Sequence, residues 1–489
     1  MNAGPNRAVF LLVMVAVACR GVGYSLLTPT YEGWDEYQHL GYFRTNSGRL
    51  GVAVMPSSVM NDVAHNPVPE ALKSQAPASW LQTYREYWRR PEPGVDSAVP
   101  LYEVQHAPWY YFVHAPIYAL FDDDFFRSVR TLRLVNVLWV LIGLYFVGAA
   151  FRNAGVSGHI ADAALLLLAV QPLFLMTFAR VSNDAMAFAL TCVSVAAVVQ
   201  MRSHAARIDC GVLFGLAGAV KATAWTLAPA AAILCFGQSD RAARFGWFVA
   251  FFILTAGAAV ALDVARQGRF APTQEAWLLA ERGAGFEDVV RAATTINWFD
   301  EFSSRWGRRL LWVGGWSFAP LPKFLPRLHQ WLLVASIVPL VIRLARGGPR
   351  NRSFAAFCIL ACLGVAAGQA IPMAQSKAAL GFVATPAWYA AIVLPWLFAG
   401  LAWSWNIDQR LQRIATAAFF ALLLISEAVG VFFAWLPTFA DSRDPALVVE
   451  RCSSLAGGRA LFTVGVAGFL AGWIAACAAL LATFRKETA

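Results

Sequence analysis

The residues with the most chemistry in this chain of 489 residues gather in a few short strings. The first, YEGWDEYQH over 31–39, brings together Glu32, Asp35, Glu36, Gln38 and His39. If it opens a helix, Asp35 and His39 share a face at i, i+4, and Glu36 and His39 do so at i, i+3. A carboxylate near a helix start can serve as a general base or as a ligand to a cation. The plain alternative is a capping cluster on a solvated loop. The second string, YEVQHAPWYYFVHAP over 102–116, sets Glu103, Gln105 and His106 beside Pro108, Trp109 and two tyrosines. It reads either as part of a site or as an aromatic belt at a membrane interface. Arg180, Ser182, Asn183 and Asp184 form a third group, which could also be a self-neutralising pair at a tight helix connection. Lys221 stands in the middle of an apolar stretch running from Cys210 to Gly237. An ionisable group at membrane depth is expensive and faces a cavity or a partner, unless it snorkels to the interface. Later come Trp306, Arg308, Arg309, Trp312, Trp316 and Lys323, and then Lys377 between two apolar segments. Aromatic faces stack on sugar rings and cations meet phosphates, although tryptophans also anchor helices at interfaces.

The elements that must position these residues follow from composition. The chain is 58% hydrophobic and only 14% charged, with mean hydropathy +0.54, where a soluble domain carries about a quarter charged residues. Apolar stretches recur near 8–27, 131–151, 160–179, 185–200, 246–265, 329–345, 353–371, 380–402, 414–435 and 460–484. Each approaches the length of about 20 residues that crosses a hydrocarbon core. The first, interrupted only by Arg20, lacks a small-residue cleavage site before a polar start and reads as a retained signal anchor. Seven of the eight cysteines sit inside apolar segments, with Cys452 in a polar loop, so a disulfide framework is not expected. The formal charge of +10 is dispersed in short arginine clusters between spans, as orientation signals are, and does not point to nucleic acid.

The stretch around Lys221 is either one long tilted helix or a hairpin of two short ones with Lys221 at the turn. Short arginine-rich loops prefer the cytoplasm. Only the hairpin puts the loops holding Arg202 and Arg207, Arg241 and Arg244, Arg343 to Arg352, and Arg410 and Arg413 all on that side. The expectation is an all-α polytopic protein of about twelve spans with both ends cytoplasmic. It is one membrane domain over 1–489, with a first outer loop at 28–130 carrying interfacial helices and a second at 266–327. Tyr110 to Phe121 is too short to span and is expected to lie at the interface or re-enter.

Taken together, YEGWDEYQH, QHAPWYY, VSND and GLAGAVKATAWTLAP resemble the GT-C membrane glycosyltransferases, the superfamily of protein O-mannosyltransferases and lipid A aminoarabinose transferases. The resemblance covers about residues 8 to 240. Trp34 stands where the pattern has proline before the acidic pair, and no Gly-Arg-Tyr type string follows near Lys377. The resemblance implies transfer of a sugar from a polyprenyl-phosphate donor to a hydroxyl of a glycan, lipid or protein, by inversion, at the outer face of a bacterial cytoplasmic membrane. It implies Asp35 as general base with Glu36 as its catalytic partner, and His39, Gln105, His106, Asn183 and Asp184 as substrate contacts. Lys221 and Lys377 would meet the leaving phosphate. No metal site is assigned, and use of a divalent cation held by Asp35, Glu36, His39 and Asp184 is left open.

Two other classes compete. A transporter or flippase of lipid-linked or anionic substrates would suit many spans and a buried lysine. Its halves would usually match, whereas here the polar mass lies in one long loop after the first helix. A noncatalytic scaffold that binds polysaccharide through Trp34 and Trp109 leaves Lys221 unexplained. The topology makes a first prediction: single cysteines introduced beside Asp35 and within 343–352 label from opposite sides of sealed vesicles. Labelling of both from the same side removes the hairpin at Lys221.

Overall fold

A computed structural model of the chain describes residues 4–29, 32–33, 35–44, 108–121, 125–200, 204–234, 241–268, 273–315, 319–346, 349–384, 386–440 and 442–485. Among these residues every regular element is a helix. Eight helices are long and apolar enough to cross a membrane, and nine if one bent pair counts as a single span. Three shorter apolar helices, Asp184–Gln200, Cys210–Val220 and Ala222–Leu234, occupy the remaining places where spans were expected. Their shortness has local causes. Pro172 cannot donate to a preceding turn and restricts Gln171 to extended backbone. The chain therefore bends by 63° between Gly158–Ala169 and Pro172–Phe178.

At Lys221 the backbone is extended, with φ −153 and ψ 120, and ends the helix His204–Val220. The next turn doubles back, placing the Trp225 Nε1 donor 3.2 Å from the Gly215 carbonyl. Charge placement and the break thus agree on a turn at Lys221. Helix Trp109–Ala119 buries Tyr110, Tyr111, His114 and Tyr118. Trp109, Phe112 and Val113 on it, and Leu120 just past its end, are exposed, so its two faces differ. Cys452, expected in a loop, is instead buried in helix Pro445–Leu455, its thiol 3.4 Å from the Leu436 carbonyl.

The first and last long helices, Arg7–Leu27 and Arg459–Arg485, pack along their lengths through small residues. A Cβ at Gly468 would stand 2.6 Å from the Cys19 carbonyl oxygen, so only glycine permits this approach. That closeness brings four polar side chains together at membrane depth. The Glu427 carboxylate accepts from Arg20 Nε at 2.8 Å and from Arg20 Nη2. It also accepts from the Tyr24 hydroxyl at 2.9 Å and from Trp473 Nε1 at 2.6 Å. Both Arg20 and Glu427 are wholly buried. Removing one partner strands the other charge, at a cost of about 3–5 kcal/mol, whereas replacing both by apolar groups of similar volume can be close to neutral. Glu427→Leu alone should therefore lower the thermal midpoint of the detergent-purified protein sharply, and Arg20→Met with Glu427→Leu should recover most of the loss. Equal loss in single and double variants would mean that packing, not the charge pair, holds this junction.

Candidate functional site

The site is built outward from Arg133, about two turns into the helix Phe125–Ala154. Its Nη1 donates to the Ser25 and Thr28 carbonyls at 3.2 and 2.5 Å, and its Nη2 to the Pro29 carbonyl at 3.0 Å. These lie at the C-terminal end of the first helix, where unpaired carbonyls and the helix dipole favour a cation. The same guanidinium holds Glu36 by two parallel bonds, Nε to Oε1 at 2.8 Å and Nη2 to Oε2 at 2.5 Å. The Val181 amide donates to Glu36 Oε1 at 3.0 Å. Glu36 is fully buried and its carboxylate is saturated. The acid that the resemblance sets beside Asp35 therefore lies in a buried ion pair.

Asp35, one residue earlier, has φ 60, the only described non-glycine residue at positive φ. Aspartate is among the residues that tolerate this conformation. The Asp35 carbonyl accepts from the Gln38 and His39 amides, so it caps helix Glu36–Arg44, and the residue is left half-buried. His39 is buried with Nδ1 2.7 Å from the Tyr111 hydroxyl.

The turn between Pro172–Phe178 and Asp184–Gln200 packs directly on this segment. A Cβ at Gly33 would lie 2.9 Å from Arg180 Cβ, a contact that glycine avoids. Asn136, almost one turn past Arg133, donates to the Arg180 and Ser182 carbonyls and so fixes the turn. Arg180 and Lys221 both reach Asp184, each at 2.7 Å and on different carboxylate oxygens. Asn183 Nδ2 donates to the Val220 carbonyl at 2.8 Å, closing the helix before Lys221, whose Nζ lies 3.4 Å from Asn183 Oδ1. The two cations rest on aromatic faces: Arg180 is 5.7 Å from the Trp388 ring centre and Lys221 is 5.3 Å from that of Tyr389. Two cations thus meet on Asp184 inside a buried shell, and the buried Glu32 lines a small hollow with Arg180. Trp388 also lines a cavity of about 770 Å³ between residues 304–327 and 382–388.

The structure thus joins Asp35, Glu36, Asn183, Asp184 and Lys221 through one continuous run of contacts. Lys377 does something else: its Nζ donates to the Gly381 carbonyl at 2.7 Å and closes its own helix. Gln105 and His106 lie outside the described residues. His114, their neighbour in the motif, donates from Nδ1 to the Tyr110 carbonyl and accepts at Nε2 from Trp139. These roles require a neutral ring, in keeping with burial holding its pKa below the usual 6.5. Among the described residues no three or more His, Cys, Asp or Glu side chains converge as a metal site. Glu36 and Asp184 are already held by cations.

No family model and no curated protein matches the sequence. Two solved structures are similar in overall shape. One is ArnT from Cupriavidus metallidurans bound to undecaprenyl phosphate, with a TM-score of 0.45 and 12% identity over 96% of this chain and 77% of that one. The other is the Archaeoglobus fulgidus oligosaccharyltransferase tethered with an acceptor peptide, with a TM-score of 0.41 and 12% identity over 93% of this chain and 56% of that one. The chemistry of the site is read from this chain's own residues.

Sequence reasoning passed over Arg133 and Glu275. Arg133 carries the signal that singled out Lys221, an ionisable group within an apolar span. Glu275 lies in helix Gln274–Glu281, where an acid among alanine, tryptophan and leucine is the only hint. It is buried, and its Oε2 has no hydrogen-bond partner. Burial pushes its carboxyl up to about 7; its own amide and the Thr273 hydroxyl oppose the shift, and the Asp35 carboxylate adds to it. The Asp35 contribution places the two acids within electrostatic reach of each other. A carboxyl whose folded pKa exceeds its unfolded value binds extra protons in the native state. Its stabilising effect is complete below the unfolded pKa and is lost as pH rises through the folded one. The protein should therefore lose stability as pH is raised from about 4.5 to about 7. Glu275→Gln should flatten the thermal midpoint across that window, and an unchanged slope would place the titration elsewhere.

Proposed function

We propose that this chain is a membrane glycosyltransferase. It moves a sugar from a polyprenyl-phosphate donor to a hydroxyl of a glycan, lipid or protein acceptor at the outer face of the membrane. The observation that carries the reading is the division of labour among the acids. Glu36 and Asp184 are consumed in buried ion pairs, while Asp35 is half-buried at the edge of the same cluster. Asp35 takes the proton from the acceptor hydroxyl as that oxygen bonds to the anomeric carbon. The bond from that carbon to the phosphate oxygen breaks, its electron pair leaves with the lipid phosphate, and the anomeric centre inverts. Lys221 and Arg180, both held on Asp184, meet the negative charge gathering on the departing phosphate. Such preorganised charge is effective because it is held before the reaction begins.

Glu36 supports this role indirectly, since its clamp on Arg133 fixes the turn from which Asp35 projects. Asp35→Asn removes the basic carboxylate, and asparagine also tolerates positive φ, so the turn is preserved. In the purified protein, transfer from a radiolabelled polyprenyl-phosphate sugar should fall by about 100-fold or more with donor binding retained. Glu36→Gln should lose folded protein before it loses turnover per folded molecule. Near-normal transfer by Asp35→Asn removes Asp35 as the base. Movement of intact donor across proteoliposomes without any sugar transfer would favour the transporter reading instead.

A further inference from the structure

The end of the bundle farthest from Asp35 carries polar groups that neither assembly nor sugar transfer uses. The first and last long helices run antiparallel, with Gly465 packed on Leu27 and Gly472 on Arg20, so the last helix ends near where Arg7 begins the first. The Asn6 amide donates to Asp162 at 2.8 Å and brings the start of helix Gly158–Ala169 to the same end. Where these elements meet the start of helix Gln409–Ala428, His159, Gln412, Arg413, Thr416 and Thr483 line a hollow of about 20 Å³. Gln412 and Thr416 lie about one turn apart and are 5% and 2% exposed. Neither Gln412 Nε2 nor Thr416 Oγ1 has a hydrogen-bond partner among the described residues. A threonine inside a helix commonly donates to the carbonyl four positions back, as Thr191, Thr463 and Thr483 do. Thr416 does not use the carbonyl that Gln412 offers it. Buried donors left unsatisfied are costly, so the two side chains call for a guest that accepts hydrogen bonds.

Charge, size and surroundings narrow the guest. Arg413 stands in the wall, and the helices Gly158–Ala169 and Gln409–Ala428 both begin at the hollow, where the positive ends of their dipoles favour an oxyanion. The nearest acids in sequence, Asp162 and Asp408, do not line it, and each gives a carboxylate oxygen to a backbone amide, of Asn6 and Arg410 respectively. One water needs about 10–15 Å³, so the hollow admits little more than one oxygen of a larger group whose bulk stays outside. Beside it, Leu411 and Ile414 on one helix and Leu481 on another are exposed, at the ends of helices long and apolar enough to cross a membrane. An amphiphile with a phosphate head and acyl chains meets each condition. Free phosphate makes no use of the aliphatic rim.

We infer that this hollow is a binding site for the headgroup phosphate of an anionic phospholipid in the leaflet opposite Asp35, the one that the arginine pattern assigns to the cytoplasm. A phosphate oxygen accepts from Gln412 and Thr416, and the headgroup ties the ends of three helices together. The site is separate from the transfer reaction and is tested without turnover. Delipidated full-length protein in detergent is titrated with phosphatidylglycerol, with phosphatidylcholine, whose phosphate carries its own compensating cation, and with inorganic phosphate. Phosphatidylglycerol should raise the thermal midpoint saturably, with an apparent affinity about tenfold or more above that for phosphatidylcholine. Gln412→Leu with Thr416→Val removes both unpartnered atoms, so this variant should be as stable as the unaltered chain without lipid and bind phosphatidylglycerol about tenfold more weakly or worse. Arg413→Gln should weaken binding too, whereas Arg346→Gln, which removes an exposed arginine assigned to the same side, should leave it unchanged. Equal stabilisation by phosphatidylcholine or by inorganic phosphate overturns the inference, as does the absence of any lipid response, which would leave the hollow to water. So does unchanged affinity in the double variant or, if that variant does not elute as folded protein, in Arg413→Gln. A loss in Arg346→Gln equal to that in Arg413→Gln would assign the effect to surface charge in general and overturn it as well.

Discussion

The bond between Arg133 and Glu36 is the constraint on which the site depends. One guanidinium collects the last carbonyls of the first helix and the carboxylate that starts the next one, and the carboxylate takes the Val181 amide from a third segment. Neither side chain is exposed by more than 1%. Two charges removed from water are stable only when each hydrogen-bonding position is occupied, and here the protein's own backbone fills the remaining places. The strained turn at Asp35 persists because this clamp holds the residue that follows it.

Buried ion pairs recur at two other depths, although Arg20 Nη1 in the first of them has no hydrogen-bond partner. Arg20 and Glu427 are joined where the first and last long helices approach most closely, and two more donors complete the carboxylate. Arg180, Asp184 and Lys221 meet where two helices are broken by Pro172 and by the extended backbone at Lys221. Arg20 with Glu427 and Arg133 with Glu36 are pairs of one cation and one acid, whereas in the third group two cations share Asp184 and rest on the Trp388 and Tyr389 rings, close to the half-buried Asp35 segment.

Much of this was legible in the chain itself. Hydrocarbon thickness converts apolar length into spans, so the helical, membrane-embedded architecture follows from composition and spacing. The cost of charge at membrane depth marks Lys221, whereas the stretch 160–179, read as one span, is bent by 63° at Pro172. The group Arg180, Asn183 and Asp184 could be singled out because its members are neighbours in sequence.

What only the tertiary structure decided are the pairings between residues far apart in sequence. Glu36 meets a residue 97 positions away and Arg20 one 407 positions away, and nothing in either local string names the partner. For that reason adjacent acids that look equivalent in YEGWDEYQH end in different surroundings: Glu36 is fully buried against Arg133, and Asp35 is half-buried at a left-handed turn. Nothing in the sequence around Glu275 announces that packing buries it within electrostatic reach of Asp35, and Arg308, Arg309 and Lys323, singled out as cations, are joined in one cavity by Arg305 and Arg327 only through the fold. Apolar length is a property of a segment and can be read along the chain. The charge state and task of an ionisable group depend on its desolvation and on its nearest opposite charge, and folding alone sets both.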